Sequence, residues 1–148
     1  MEKRQPIGIE LVKKGVVKEA DIEKALDYQK THPNKKIGDI LDILKLCDSD
    51  ILINAMGEIL DEKAIYLQEK DVRIDALEYI SLDIMKQNKA IPFEIASGKI
   101  KVCFADTSNK KSIEVIRLLL LNKGLVMEKY ITFETNIEKI IESLEGGV

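Results

Sequence analysis

Chemistry in this chain has few side chains to draw on. Cys47 and Cys103 are its only cysteines, far apart and outside any C-x-x-C pair, and its one histidine, His32, stands beside Pro33. A structural zinc site takes about four closely placed Cys or His ligands, so the sequence offers no metal site, and the two thiols read as free groups in a reducing compartment. Ser97-Gly98-Lys99 lacks both the first glycine and the closing hydroxyl residue of the G-x-x-x-x-G-K-[ST] phosphate loop. No Ser, His and Asp share a workable spacing, and Asp48 with Asp50 read as helix-start charge. The expectation is a chain that is not an enzyme, with no catalytic residue and no cofactor. What recurs instead is a pair without side-chain reactivity, Ile7-Gly8 and Ile37-Gly38.

Around each Ile-Gly pair a longer pattern repeats with a period of thirty residues. Leu11 matches Leu41, Val16-Val17 matches Leu46-Cys47, Ile22 matches Leu52, Ala25 matches Ala55 and Leu26 matches Met56. Each unit reads as a short helix, a tight turn and a longer helix. Ile22, Ala25, Leu26 and Gln29 fall at i, i+3, i+4 and i+7 on one helix face, as do Leu52, Ala55, Met56 and Ile59. Gly15 sits where the first short helix is expected to stop, a position that often takes a positive φ and so favours glycine. Asp48 suits the N-cap of the second long helix, a place held in the first unit by Lys18. The stretch 31–35, rich in polar residues and holding Pro33, reads as a loop between units.

Beyond Gln68 the periodicity changes. Residues 64–67 read as a short strand, 69–71 as a charged turn and 75–86 as one helix with Leu77, Ile80 and Ile84 on a face. Strands are expected at 90–95 and 99–104 with Ala96-Ser97-Gly98 as a hairpin turn, followed by a helix over 110–122 that stops at Gly124. A strand over 125–131 and a helix over 136–144 complete the pattern, and 145–148 reads as a frayed end or linker. The whole is an α+β protein: an N-terminal tandem helical-hairpin repeat, residues 1–62, packed with a small C-terminal α/β sandwich, residues 63–148. The charged stretch 68–73 is fit for a linker between them.

Bulk properties narrow the partners. The 148 residues are 45% hydrophobic and 33% charged with a formal net charge of -3, ordinary for a globular protein. The first sixty residues hold ten Lys+Arg against eleven Asp+Glu, without the clustered positive charge that a nucleic-acid duplex demands. Residues 1–6 lead into no apolar signal core and the leucine run at 118–121 is too short to span a bilayer, so neither DNA, RNA nor direct membrane insertion is expected and the location reads as cytoplasmic.

Read in order, these landmarks resemble the MshEN-type N-terminal domain of type II secretion and type IV pilus assembly ATPases. That family carries two tandem units close to R-L-G-x-x-L-x-x-x-G-L-[IV]-x-x-x-x-L-x-x-A-L-x-x-Q. Its later landmarks are matched here by Ile65-Tyr66-Leu67, Ile74-Asp75-Ala76-Leu77, Ala90-Ile91-Pro92-Phe93 and Val102-Cys103-Phe104-Ala105-Asp106. The resemblance implies a non-catalytic regulatory or docking domain of a bacterial motor, with two functions open. One is a sensor of cyclic di-GMP, one tandem unit for each half of the ligand. The other is an adaptor that joins the ATPase motor domain to a cytoplasmic or inner-membrane platform protein without binding nucleotide.

For the sensor, the resemblance points to Ile7, Gly8, Leu11, Gly15, Ile22, Leu26 and Gln29 in the first unit and Lys36, Ile37, Gly38, Leu41, Leu52 and Met56 in the second. Backbone N–H groups beside the Ile-Gly pairs would meet phosphate, apolar side chains would cover guanine and ribose, and a cation at the first motif position would add charge-assisted hydrogen bonds. The chain departs from the pattern at Pro6, where arginine is expected, at Lys36, which lacks arginine's planar fork, at Lys45 in place of the turn glycine, and at Ile59 in place of glutamine. Its connector, 30–35, is one residue longer than the family's five.

Overall fold

The structure, a computed structural model, describes residues 7–146. The chain divides into two compact units between Ala64 and Ile65. That is two residues beyond the division at 62/63 expected from the sequence, because the chain closes back on Gly57. The Glu62 N–H donates to the Gly57 carbonyl at 2.8 Å, and a side chain at Gly57 would meet the Glu62 carbonyl at 2.7 Å and Ala64 Cβ at 2.8 Å.

The first unit is built from four helices, α1 (Ile7–Lys13), α2 (Glu19–Thr31), α3 (Ile37–Ile43) and α4 (Ser49–Leu60), and ends in a two-residue strand, β1 (Lys63–Ala64). The helix starts at 7 and 37, and at 19 and 49, reproduce the thirty-residue period. Leu11, Ala25, Ile40, Leu41, Leu52 and Ile53 are fully buried in it. Asp48 caps α4 as expected, its carboxylate accepting from the N–H groups of Asp50 and Ile51. Lys18, at the corresponding place, makes no side-chain cap; instead its N–H donates to the Asp21 carboxylate at 3.0 Å.

The second unit contains a 3-10 turn (Glu69–Asp71), α5 (Ile74–Leu77), α6 (Leu82–Asn88), β2 (Ala90–Ala96), β3 (Lys99–Phe104), α7 (Lys110–Leu121), β4 (Val126–Ile131) and α8 (Glu134–Gly146). β3 is flanked by β2, antiparallel, and β4, parallel. The hairpin closes through Ser97 and Gly98, with φ of 52° and 77°, the two positive values that a twisted two-residue turn demands. Parallel pairing requires a crossover, which α7 supplies. Phe104, Ile91, Ile100, Ile116 and Leu120 are fully buried in the core of this unit, with Ile137 and Ile140 of α8 beside them. The chain is thus an α+β protein. Among the described residues no helix is long and apolar enough to cross a membrane.

Four local expectations are corrected. The single helix expected over 75–86 is two, because the Ser81 hydroxyl accepts from the Ile84 N–H at 3.3 Å and restarts the helix. The strand expected at 64–67 keeps only Lys63–Ala64 as strand. The linker expected over 68–73 is folded within the second unit: the Gln68 N–H donates to Asp71 at 2.9 Å and the Arg73 N–H to the Phe93 carbonyl at 2.9 Å. Glu145 and Gly146, expected in a frayed end, belong to α8, while 147–148 lie outside the described residues.

Leu67 explains why that segment is fixed. Its N–H donates to Thr132 Oγ1 at 3.2 Å, and its carbonyl accepts from Asn136 Nδ2 at 2.6 Å. Both partners are buried, and both lie near the start of α8. Replacing Asn136 with alanine strands the Leu67 carbonyl in the core, which costs roughly 1–3 kcal/mol. Urea denaturation of Asn136→Ala is expected to show a loss of that size; unchanged stability would mean that this bond does not hold the segment.

Candidate functional site

The candidate site lies in the first unit and follows from how each short helix ends. Gly15 has φ of 75°, and the Val16 N–H reaches back to the Leu11 carbonyl at 3.0 Å while the Gly15 N–H reaches Val12 at 2.9 Å. Thirty residues on, Lys45 has φ of 55°, Leu46 bonds Leu41 at 3.1 Å and Lys45 bonds Asp42 at 3.0 Å. This is the same left-handed helix stop twice. Lysine occupies the turn in the second copy without changing its path.

The residues assigned by resemblance fall into three groups. Leu11, Leu41 and Leu52 are fully buried, and Gly8, Gly38 and Met56 are nearly so; they pack helix on helix. Ile7, Ile22, Gln29 and Ile37 are half-buried. Leu26, Gly15 and Lys36 are exposed. Gln29 Nε2 donates to the Lys35 carbonyl at 2.8 Å, so this glutamine holds the connector that presents Lys36 at the N-cap of α3. Pro6, and Arg4 before it, lie outside the described residues.

Beside Gly8 is a cavity of about 240 Å³, lined by Gly8, Ile9, Val12, Lys13, Glu19 and Ile22. The structure therefore gathers Gly8 and Ile22 with four residues that sequence reasoning missed. A signal for one of them existed. On a seven-residue helix, Ile9 and Leu11 point to nearly opposite sides, so with Leu11 in the core Ile9 had to face outward. Lys13 and Glu19 put one charge of each sign at the rim of a mainly apolar hollow.

The equivalent place in the second repeat is filled. Asp39 and Asp42, thirty residues after Ile9 and Val12, are 5% and 3% exposed. Asp42 accepts from the Ser49 hydroxyl at 2.5 Å and lies 3.9 Å from Lys45 Nζ, joining α3 to the start of α4. A methyl built on Gly38 would stand 2.5 Å from Met56 Cε and 2.7 Å from its Sδ, whereas on Gly8 the nearest atom would be Ile22 Cδ1 at 3.2 Å. The repeat is regular in backbone and asymmetric in what covers its glycines.

Burial pushes the Cys103 thiol well up, and burial followed by the Asp48 carboxylate raises that of Cys47, so neither is a ready nucleophile. Among the described residues no group of three or more His, Cys, Asp or Glu is placed to hold a metal.

Comparison with known proteins decides the family. The model of the MshEN domain matches residues 61–148. The chain belongs to the MshEN family. Its fold is shared with the structure of MshE with cdg, at 24% identity over 94% of this chain and 98% of that one, with a TM-score of 0.64. It is also shared with the N-terminal domain of XpsE, at 19% identity over 96% and 97% of the two chains, with a TM-score of 0.58. No curated protein matches the chain. The family match falls mainly on the second unit, so in this MshEN chain the tandem repeat stands on its own periodicity and on the likeness of fold.

The two helix stops give a direct check. A left-handed residue other than glycine costs about 1–2 kcal/mol, partly offset because glycine leaves the unfolded chain freer. Lys45→Gly is therefore expected to stabilise the protein by up to about 1 kcal/mol. Gly15→Ala, whose new Cβ meets nothing within 4 Å, is expected to cost about 1 kcal/mol through backbone strain alone. Thermal melts of both variants report the signs; a destabilised Lys45→Gly would deny the shared turn.

Proposed function

We propose that this MshEN chain is a non-catalytic regulatory domain of a secretion or type IV pilus assembly ATPase, and that its tandem repeat takes cyclic di-GMP. The observation that carries the reading is the thirty-residue repeat itself, realised as two copies of one short helix, left-handed stop and long helix. A ligand made of two identical halves suits a site made of two equivalent halves. MshE, of the same fold, has been seen with cdg, which supports the choice of ligand. In this reading the hollow at Gly8 receives apolar and aromatic surface, Ile22 and Leu26 cover a base, and Lys36 at the α3 N-cap meets phosphate as a point charge. The domain works in the cytoplasm and passes its occupancy to a motor domain and a platform protein.

The departures from the family pattern set the expected strength. Proline at position 6 supplies neither charge nor N–H, and Ile59 supplies no base-edge hydrogen bond. A hydrogen bond to a charged group contributes about 1.5–3 kcal/mol, and about 1.4 kcal/mol is tenfold in affinity. Calorimetry with cyclic di-GMP is expected to show weak binding by the natural chain, abolished in Lys36→Ala and strengthened about tenfold or more in Pro6→Arg with Ile59→Gln. If the folded Pro6→Arg, Ile59→Gln protein gives no heat of binding at millimolar ligand, the sensor reading fails. The adaptor reading would then take its place, favoured by exposed apolar residues of α7, Val115, Leu118 and Leu121.

A further inference from the structure

The two halves of the repeat differ at a further equivalent pair, Leu26 and Met56. Leu26 is 48% exposed, and in its repeat it is Ile22, not Leu26, that lies against the glycine and lines the hollow beside it. Met56 is 7% exposed and its thioether lies on Gly38, with Sδ and Cε occupying the space that a side chain at 38 would need. Gly8 has Ile22 against it with a hollow alongside, whereas Gly38 has the Met56 thioether laid directly on it.

We propose that Met56 is a specificity-determining plug: it fills the second half-site, so the repeat offers one purine-nucleotide half-site as it stands and accepts a full dinucleotide only when the Met56 thioether swings off Gly38. This rests on the cyclic di-GMP reading of the repeat. The chemistry favours a movable cover. Methionine is unbranched with three rotatable bonds and a polarizable sulfur, so it fills a gap and leaves it without a large steric barrier. The atoms against Gly38 are the far end of that side chain, not backbone. Leucine, which holds the equivalent place in the first repeat, ends one atom sooner and branches at Cγ, so it cannot lay a terminal methyl across the glycine. A ligand that binds only the unplugged form has its apparent affinity reduced by the unplugged fraction.

The test exchanges the plug for the residue of the other repeat. Met56→Leu keeps nearly the same volume and should fold normally; Met56→Ala, which leaves a gap, is the second variant and is first checked for folding by its amide spectrum. Cyclic di-GMP is titrated into the natural chain and each variant by calorimetry. Met56→Leu is expected to bind about tenfold more tightly than the natural chain, as it would if Met56 covers the site in about nine molecules of ten. In natural chain labelled at the methionine methyls, the methyl of Met56 is expected to show a nuclear Overhauser contact to the Gly38 Hα that disappears as ligand is added. Equal or weaker binding by Met56→Leu, or a contact that persists at saturation, overturns the plug while leaving the ligand site standing. Absence of binding by the natural chain and by both variants at millimolar ligand overturns the site itself, and the plug with it.

Discussion

The left-handed residue after each short helix is the constraint on which the first unit depends. A seven-residue helix cannot turn back on its partner unless its last carbonyls find donors within two residues, and only positive φ brings those donors round. Gly15 adopts it without a Cβ penalty and Lys45 adopts it with one. Because both do, α2 and α4 leave their turns along equivalent paths, Leu11 and Leu41 reach the core from equivalent places, and Gly8 and Gly38 come to lie under the long helices. Without this turn the thirty-residue period would be a pattern of letters with no matching geometry.

The second unit solves a different problem. Its central strand, β3, needs a partner on each side, and its segment 65–68 must pass beside them without joining a regular ladder throughout. The Ile65 N–H bonds the Ile131 carbonyl at 3.1 Å. Leu67 then relies on the side chains of Thr132 and Asn136. Buried backbone must be paired somewhere, and here two side chains do what a strand neighbour would otherwise do. The family match covers this unit, whereas the candidate ligand site belongs to the other, so membership of the family and binding by the repeat are separate statements about one chain.

Much of this was legible in the sequence, and the failures have physical reasons. Period, turn glycine and helix faces are local signals, so the start of every helix in the repeat follows from Ile-Gly, Gly15 and Asp48. The hairpin at Ser97-Gly98 was legible for the same reason. The break at Ser81 was not, because a serine inside an apolar period reads equally as a surface position or as a cap, and only the bond to Ile84 decides. The segment 68–73 looked like a linker because its composition is charged; it is pinned by Asp71 within it and by the Phe93 carbonyl twenty residues on from Arg73, while Leu67 just before it is held by Thr132 and Asn136. In the candidate site, the resemblance named Leu11, Leu41 and Leu52, which are core, and missed Ile9, Val12, Lys13 and Glu19. A motif marks positions that recur, and packing residues recur as regularly as contact residues do. The asymmetry between Leu26 and Met56 was invisible, since both are apolar at equivalent helix positions and differ only in reach.

The central claim is that two equivalent halves of the first unit receive one symmetric ligand. The most direct measurement is an amide ¹H–¹⁵N spectrum of the chain recorded during titration with cyclic di-GMP. Shifts are expected around Gly8–Ile22 and Gly38–Met56, in two clusters that titrate with one midpoint, while amides of β2, β3 and β4 stay in place. Shifts confined to residues 65–146, or an unchanged spectrum at millimolar ligand, would contradict it.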